Sequence, residues 1–530
     1  VNRGLGMSKM TQERFDELVS NIEGFALQNP ETYKRRVAGL AALGYAYIGL
    51  IVTLTLALCV VLIILLVSGH FSVLVIKLEL FFAGLLYFTI RSLFVRLNRP
   101  DGIELTRSDV PDLFDVINSI TDKLKAPRFH YVLVNHEYNA GVAQVPKFGI
   151  VGPSTSYLTI GMPLLASLSE DQLVAVLAHE LGHLSGNHGK FAGRIYRLRT
   201  TWQRLLTELH SRRHRGVIIF TKFFDWYAPY FVAYSFTLAR LNEYEADRCS
   251  VEVAGRETVA ATLSRTSLMG DVLENTFSPS VGRLINSSPV PPANYFTMMR
   301  SALATAPPTD KAVKTVREEL NLPTSSSDTH PSLRDRLEAI GIVNPEPDQL
   351  AALALAPPVH PAEYLLGDRL VPLVESMSSS WRLSVEQGWN RAHEAAVNRT
   401  ALLARLEDET QSRELSDSEL WERATLTAQV RGNAEALPLF RECLKSSPGN
   451  PNYQFTLASL LLEEEDESGI DLMSAAMNSD QTLVLRGCGI LYTFLARRGR
   501  HLEAAAYRGQ FHKRSDLLEE AKAERSTISK

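Results

Sequence analysis

The chain has 530 residues, room for two or three domains. Its 55 basic and 59 acidic residues leave a net charge of −4 with the signs interspersed, which gives no ground for a nucleic-acid partner. Cys59, Cys249, Cys443 and Cys488 are scattered without a C-x-x-C pair; this excludes a disulfide framework and fits a reducing compartment.

Residues 1–38 are expected to form a cytoplasmic N-terminal segment, the first 30 of them polar and helical in character. The chain begins at Val1, with Met7 and Met10 close behind, and its first 30 residues lack the pattern of a cleavable signal peptide. Residues 39–96 are expected to supply two transmembrane helices. The run from Leu40 to Val67 carries no charge and exceeds the about 20 residues that a helix needs to cross the hydrocarbon core. A second apolar stretch runs from Phe71 to about Val95, with Lys77 and Glu79 inside it, which can pair or snorkel at the outer interface. The alternative for this stretch is a buried hairpin helix. Lys34, Arg35 and Arg36 precede the first span, and Arg91, Arg96 and Arg99 close the second. The positive-inside rule therefore places both ends, and the domain beyond residue 96, in the cytoplasm.

The next element is the helix of "SLSEDQLVAVLAHELGHLSGNH". Ser169 and Gln172 make a capping box, and Glu170 and Asp171 put negative charge in the first turn. Leu173, Val176, Leu177, Leu181 and Leu184 recur at helical spacing and mark a buried stripe. On this helix His179 and His183 lie one turn apart on one face and can share a metal ion. Glu180 projects beside them and can act as a base on water without being a ligand. Gly182 permits close backbone packing at some cost in helix propensity. Composition alone would produce H-E-x-x-H in only about 2 of 100 such chains.

A catalytic zinc takes a third protein ligand and leaves a fourth position open. "LARLNEYEADRCSVEVAG" supplies the carboxylates: Glu243 as ligand and, one turn on, Asp247 to accept the N–H of a ligating histidine. Glu245 points elsewhere, as a solvated or structural charge. Between the two motifs lies a third apolar stretch, 216–240. A single crossing there would put His183 and Glu243 on opposite sides of the bilayer, so it is read as non-spanning, with Lys222, Asp225 and Pro229 interrupting it. Its aromatics could pack the domain core or rest at the membrane surface. The basic "LHSRRHRG", 209–216, could touch anionic headgroups or form a solvated loop.

"LVAVLAHELGHLSGNH" and "NEYEADR" together resemble the gluzincins of family 48 of the metallopeptidases, which holds the HtpX-type membrane proteases and the CAAX prenyl endopeptidases. The resemblance covers roughly residues 100–340. It implies a zincin-type α+β peptidase domain with a small edge sheet, over 97–342, one Zn2+ per chain, and an integral protein of a bacterial inner membrane. It also implies that "NAGVA" places Asn139, Ala140 and Gly141 on an edge strand that holds substrate backbone, the alternative being a simple turn. In "THPSLRDRL", His330 either helps stabilise an oxyanion or caps the following helix. HtpX-type relatives usually place two further spans between the metal motifs; this chain has only the stretch at 216–240, so their membrane-embedded chamber does not transfer directly.

Residues 343–415 read as a linker and helices. Over 416–515, Ala436, Ile470 and Ala504 recur at the 34-residue period, as do Leu426, Leu460 and Phe494. That period, with Trp421, Gly432, Phe440 and Pro448, resembles tetratricopeptide repeats, and implies a helical solenoid whose concave face takes a protein partner. The alternative is a plain helical bundle. A charged tail closes the chain at 516–530.

The expected fold is thus mainly α, with a two-span anchor, a peptidase domain and a terminal solenoid. The expected function is zinc-dependent hydrolysis of unfolded or membrane-associated polypeptides at a membrane lipid surface. Its alternative is a membrane-tethered adaptor that recruits partners through the repeats, with the peptidase latent.

Overall fold

The computed structural model describes residues 12–93, 99–148, 151–184, 195, 218–324, 330–355 and 361–528. The basic segment 209–216 and Arg96 lie outside the described residues. The fold is mainly helical with one mixed four-stranded sheet. It divides into two compact units, Val1–Thr262 with Thr324–Asn344 and Tyr364–Leu366, and Leu263–Pro323 with Pro345–Glu363 and Gly367–Lys530.

The first unit opens with α1 (Gln12–Gln28), whose Phe15, Val19, Ile22 and Ala26 fall at helical spacing and are all buried. Pro30 sits in the first turn of α2 (Pro30–Val67), where its missing N–H costs nothing. Tyr33, Val37, Ala41 and Ile48 continue the buried row into the first half of α2. Farther along, Leu50, Leu54, Val61 and Ile64 are exposed. A turn through Gly69 leads to α3 (Val73–Leu93), which packs alongside α2. Among the described residues one helix is long and apolar enough to cross a membrane, and it is α2. The expected second crossing, α3, is helical but interrupted by Lys77 and Glu79. Lys77 is exposed, and no ion pair joins the two among the described residues.

The sheet comprises β1 (Ile103–Leu105), β2 (Tyr131–Asn135), β3 (Ala140–Phe148) and β4 (Val151–Gly161), with α4 (Pro111–Lys123) between the first two strands. Its order is β1-β2-β4-β3. β2 and β4 run parallel, and the other two pairs are antiparallel. β3 is therefore an outer strand. The chain then makes α5 (Met162–Ser167), α6 (Glu170–Gly182) and α7 (Ile218–Ala254).

The predicted capping box is present. Gln172 N donates to Ser169 Oγ at 3.2 Å, and Ser169 N donates to Gln172 Oε1 at 3.0 Å. Leu173, Leu177 and Leu181 are fully buried on the predicted stripe, while Val176 and Leu184 are partly buried.

The third apolar stretch, described from residue 218, is continuous in α7 with the segment that carries Glu243. Its Tyr227, Phe231, Val232 and Phe236 share one apolar cluster with α1 and the first half of α2. They pack the domain core, one of the two places expected for them. Tyr33 Oη donates to the carbonyl of Tyr234 at 2.6 Å, and Tyr227 Oη to that of Leu40 at 2.8 Å. Arg240 of α7 is buried and forms an ion pair with Glu23 of α1.

α6 lies against the second half of α7, where Ser250 Oγ donates to the carbonyl of Ala175 at 2.7 Å. Contact is closest at Gly182. A Cβ there would stand 3.0 Å from Ala246 Cα and 3.1 Å from Cys249 Cβ.

In the second unit, Leu370–Glu409 is a single 40-residue helix. Trp381 stacks on Tyr295 at 3.9 Å, and Trp389 Nε1 donates to the carbonyl of Ser288 at 2.9 Å. Three successive helix pairs follow: Asp417–Arg431 with Asn433–Ser446, Pro451–Glu463 with Ser468–Ser479, and Val484–Arg497 with His501–Ile528. Leu426, Leu460 and Phe494 are buried at equivalent places in the first helices, as are Ala436 and Ala504 in the second; Ile470 is partly buried. The turn within each pair holds one residue with positive φ: Gly432, Glu465 and Gly499.

Gly182→Val places a branched side chain against the backbone of α7. Overpacking of this kind costs about 1–3 kcal/mol, more than the roughly 1 kcal/mol that removing a helical glycine returns at best. A lowered melting temperature for the purified chain is expected. An unchanged one would mean that α6 and α7 can part without penalty.

Candidate metal centre

Three donors converge where α6 meets α7. His179 Nε2 lies 3.3 Å from His183 Nε2 and 3.5 Å from Glu243 Oε2, and His183 Nε2 lies 3.6 Å from Glu243 Oε1. Tetrahedral coordination with bonds of about 2.0–2.2 Å sets neighbouring donors about 3.3–3.6 Å apart. The separation of the two imidazole nitrogens has that size, and each faces a different oxygen of the Glu243 carboxylate at a similar distance. Glu243 Oε2 is buried and accepts no hydrogen bond, as expected of an atom whose partner is a cation. Donor atoms of His179, Glu180 and His183 also lie within 4.8 Å of one another, so Glu180 borders the same space.

The tautomer of His179 is set from behind. Its Nδ1 lies 2.9 Å from Asp247 Oδ1, so Nδ1–H donates to the carboxylate and Nε2 is the nitrogen that faces the other donors. Asp247 is itself clamped: Arg336 Nε donates to Oδ2 at 2.9 Å and Nη2 to Oδ1 at 2.6 Å. Arg336 comes from the short helix Leu333–Ala339. The sequence singled out His330 in the same string and missed Arg336. The missing signal was the carboxylate itself, since a buried Asp with one imidazole partner still has acceptor capacity to fill.

Electrostatics follow from these contacts. Burial favours neutral His179, but Asp247 and Glu243 outweigh it and raise the imidazole to about 9. His183 goes the other way, to about 4, through burial and then the charge of His179. Burial, reinforced by Glu243, lifts Glu180 to about 7. Burial also opposes ionisation of Asp247, yet Arg336 and His179 hold it well below the usual carboxylate range.

The other predicted residues are placed as follows. Glu245 points away and pairs with Arg248 at 3.2 Å. Ser332 caps the helix that follows His330 by accepting from Asp335 N, so the cap is not His330. His330 Nε2 lies 3.7 Å from Glu243 Oε2, and its side chain is 62% exposed. Asn139 immediately precedes β3, and Ala140 and Gly141 open the strand, paired with Ile160 and Thr159 of β4. Ala140 shares an apolar cluster with Val176 of α6, so the start of the outer strand adjoins the donor helix.

A search of curated proteins finds no match to the chain. Residues 113–342, which contain α6, α7 and Arg336, match the model of Peptidase family M48, and the chain thus carries a metallopeptidase domain of that family.

Proposed function

We propose that the chain is a membrane-anchored zinc endopeptidase in which His179, His183 and Glu243 hold one Zn2+. The observation that carries this reading is the convergence of His179 Nε2 and His183 Nε2, 3.3 Å apart, on the Glu243 carboxylate, whose two oxygens lie 3.5 and 3.6 Å from them, backed by Asp247 on the far nitrogen of His179. When bound, the ion supplies Lewis acidity for activating water and polarising the scissile carbonyl.

The remaining work falls to the chain's own side chains. Glu180, raised to about 7 by burial, is poised to take a proton from the attacking water and pass it to the leaving nitrogen. Asp247 keeps the ligand tautomer of His179, and Arg336 keeps Asp247 ionised and oriented. Asn139, Ala140 and Gly141 begin an outer strand beside α6, where an extended peptide can add through main-chain hydrogen bonds. His330 stands near Glu243 with an exposed imidazole, a place from which it can donate to an oxyanion.

Anchoring is part of the same proposal. The exposed leucines, valines and isoleucines of α2 and α3 form a surface that water solvates poorly and hydrocarbon accommodates. The charge-free run from Leu40 to Val67 supports a crossing by α2, and the basic residues flanking 39–96 support a cytoplasmic peptidase domain. The second crossing is assigned to α3. The three helix pairs, with equivalent buried positions, support a tetratricopeptide-like solenoid that takes a protein partner. Substrates are unfolded or membrane-associated polypeptides. The solenoid also supports the second reading, an adaptor with a latent peptidase, which predicts function independent of Glu180.

Glu180→Gln should keep about one zinc per chain and lose about 10²–10⁴-fold of hydrolysis of an unfolded protein substrate. Zinc content by elemental analysis and cleavage by gel test this together; cleavage surviving in the variant would end the assignment of Glu180 as base.

Arg336→Gln should weaken zinc binding about 10–100-fold, through its grip on Asp247 and its Nη2 3.5 Å from His179 Nδ1. Competition with a chelator of known affinity reads this, and an unchanged affinity would remove Arg336 from the site.

Zinc affinity should rise with pH by up to about tenfold per unit between pH 7 and 9, because the metal-free protein holds a proton on His179 up to about 9 and the ion displaces it. The sign is that of a cationic acid: lower pH favours the protonated, metal-free form. Calorimetry in two buffers of different ionisation enthalpy should show about one proton released at pH 7.5. No release would contradict the charge assigned to His179.

A further inference from the structure

The first half of α2 and the first half of α7 enclose a groove of about 570 Å³, within the about 300–1,000 Å³ usual for small-molecule sites. Leu40 and Leu43 line it from α2, and Trp226, Tyr230 and Tyr234 from α7. Its one charged lining residue is Arg36, which is exposed. The Arg36 guanidinium rests 4.1 Å from the centroid of the Phe25 ring, which restrains it without using its N–H groups. Among the described residues no carboxylate forms an ion pair with Arg36; the acid closest in sequence, Glu31, pairs with Lys34 at 3.3 Å.

The level of the groove along α2 identifies the occupant. Its lining residues from α2, Arg36 to Leu43, bridge the change from three consecutive cations, Lys34–Arg36, to the charge-free run that begins at Leu40. If α2 crosses a bilayer, that change marks the headgroup layer. Trp226 and Tyr230 are 56% and 40% exposed at the same groove, and such amphipathic rings favour this depth. A guanidinium there matches a phosphodiester through paired N–H donors. Arg35 beside it is exposed, and the surplus of positive charge selects a lipid of net negative charge.

We propose that this groove binds an anionic phospholipid, with the phosphodiester on Arg36 and an acyl chain along Leu40, Leu43 and the aromatic wall. The proposal rests on the reading of α2 as a membrane span. It assigns a ligand to the half of α7 that carries no metal donor.

The full-length chain in mild detergent is titrated with phosphatidylglycerol or phosphatidylcholine, and bound lipid is counted by native mass spectrometry. Phosphatidylglycerol should be retained preferentially, and Arg36→Gln should reduce its retention by about fivefold, with zinc content unchanged as a check on folding. Leu43→Trp, which fills the groove and leaves Arg36 in place, should lower retention as well. Equal retention of the two lipids, or retention unchanged in both variants, overturns the proposal. Displacement of the lipid by millimolar inorganic phosphate would show a bare anion site and also overturn it. Flotation with phosphatidylcholine vesicles separates the premise: a wild-type chain that floats but shows no lipid preference refutes the groove alone, and one that fails to float refutes the span and the groove with it.

Discussion

Everything at the centre turns on one buried carboxylate. Asp247 is 1% exposed, and a charge so placed persists only with partners. It has two, His179 from α6 and Arg336 from the short helix Leu333–Ala339. Each of the three groups is held in its charged or oriented form by the others. The short helix, which also buries Leu333 and Leu337, is joined to both α6 and α7 through this acid. Removing one partner of such a buried network typically costs about 3–5 kcal/mol, several times what an exposed ion pair contributes.

α7 answers to two sets of neighbours. Its first half gives Tyr227, Phe231 and Phe236 to a core shared with α1 and α2. Its second half brings Glu243 and Asp247 to α6, where Gly182 allows contact at backbone distance. Arg240 stands at the division, paired with Glu23 of α1 and lying 4.5 Å from the Phe236 ring centroid. The N-terminal segment and the donor set are therefore parts of one packed body, although most of the sequence between them belongs to other elements.

Much of the site was legible in the sequence because it is local. The spacing of His179 and His183, the capping box and the apolar stripe follow from the period of one helix, and Glu243 with Asp247 from the period of another. Arg336 was not legible: nothing in its own surroundings distinguishes it from Arg334, two residues earlier in the same helix, and its role exists only once Asp247 is buried against it. The ambiguity at 216–240 had the same origin. Apolar aromatics suit a core and a membrane surface equally; the partners supplied by α1 and α2 bury Tyr227, Phe231 and Phe236, while Trp226 and Tyr230 stay exposed. The C-terminal period was visible in Leu426, Leu460 and Phe494 because each pair repeats the same burial, whereas the turn at Glu465 carries no glycine and hides the repeat that Gly432 and Gly499 display.

The unbroken course of α7 fixes its length in whole steps. Each residue advances a helix by about 1.5 Å and turns it by about 100°. One residue gained or lost between Phe236 and Glu243 would keep both ends helical yet swing Glu243 off the face that meets α6. The interval between the hydrophobic grip on α1 and the acidic pair is thus phase-locked, like two cams on one shaft. Changes of length inside that interval must therefore come as full turns or not at all.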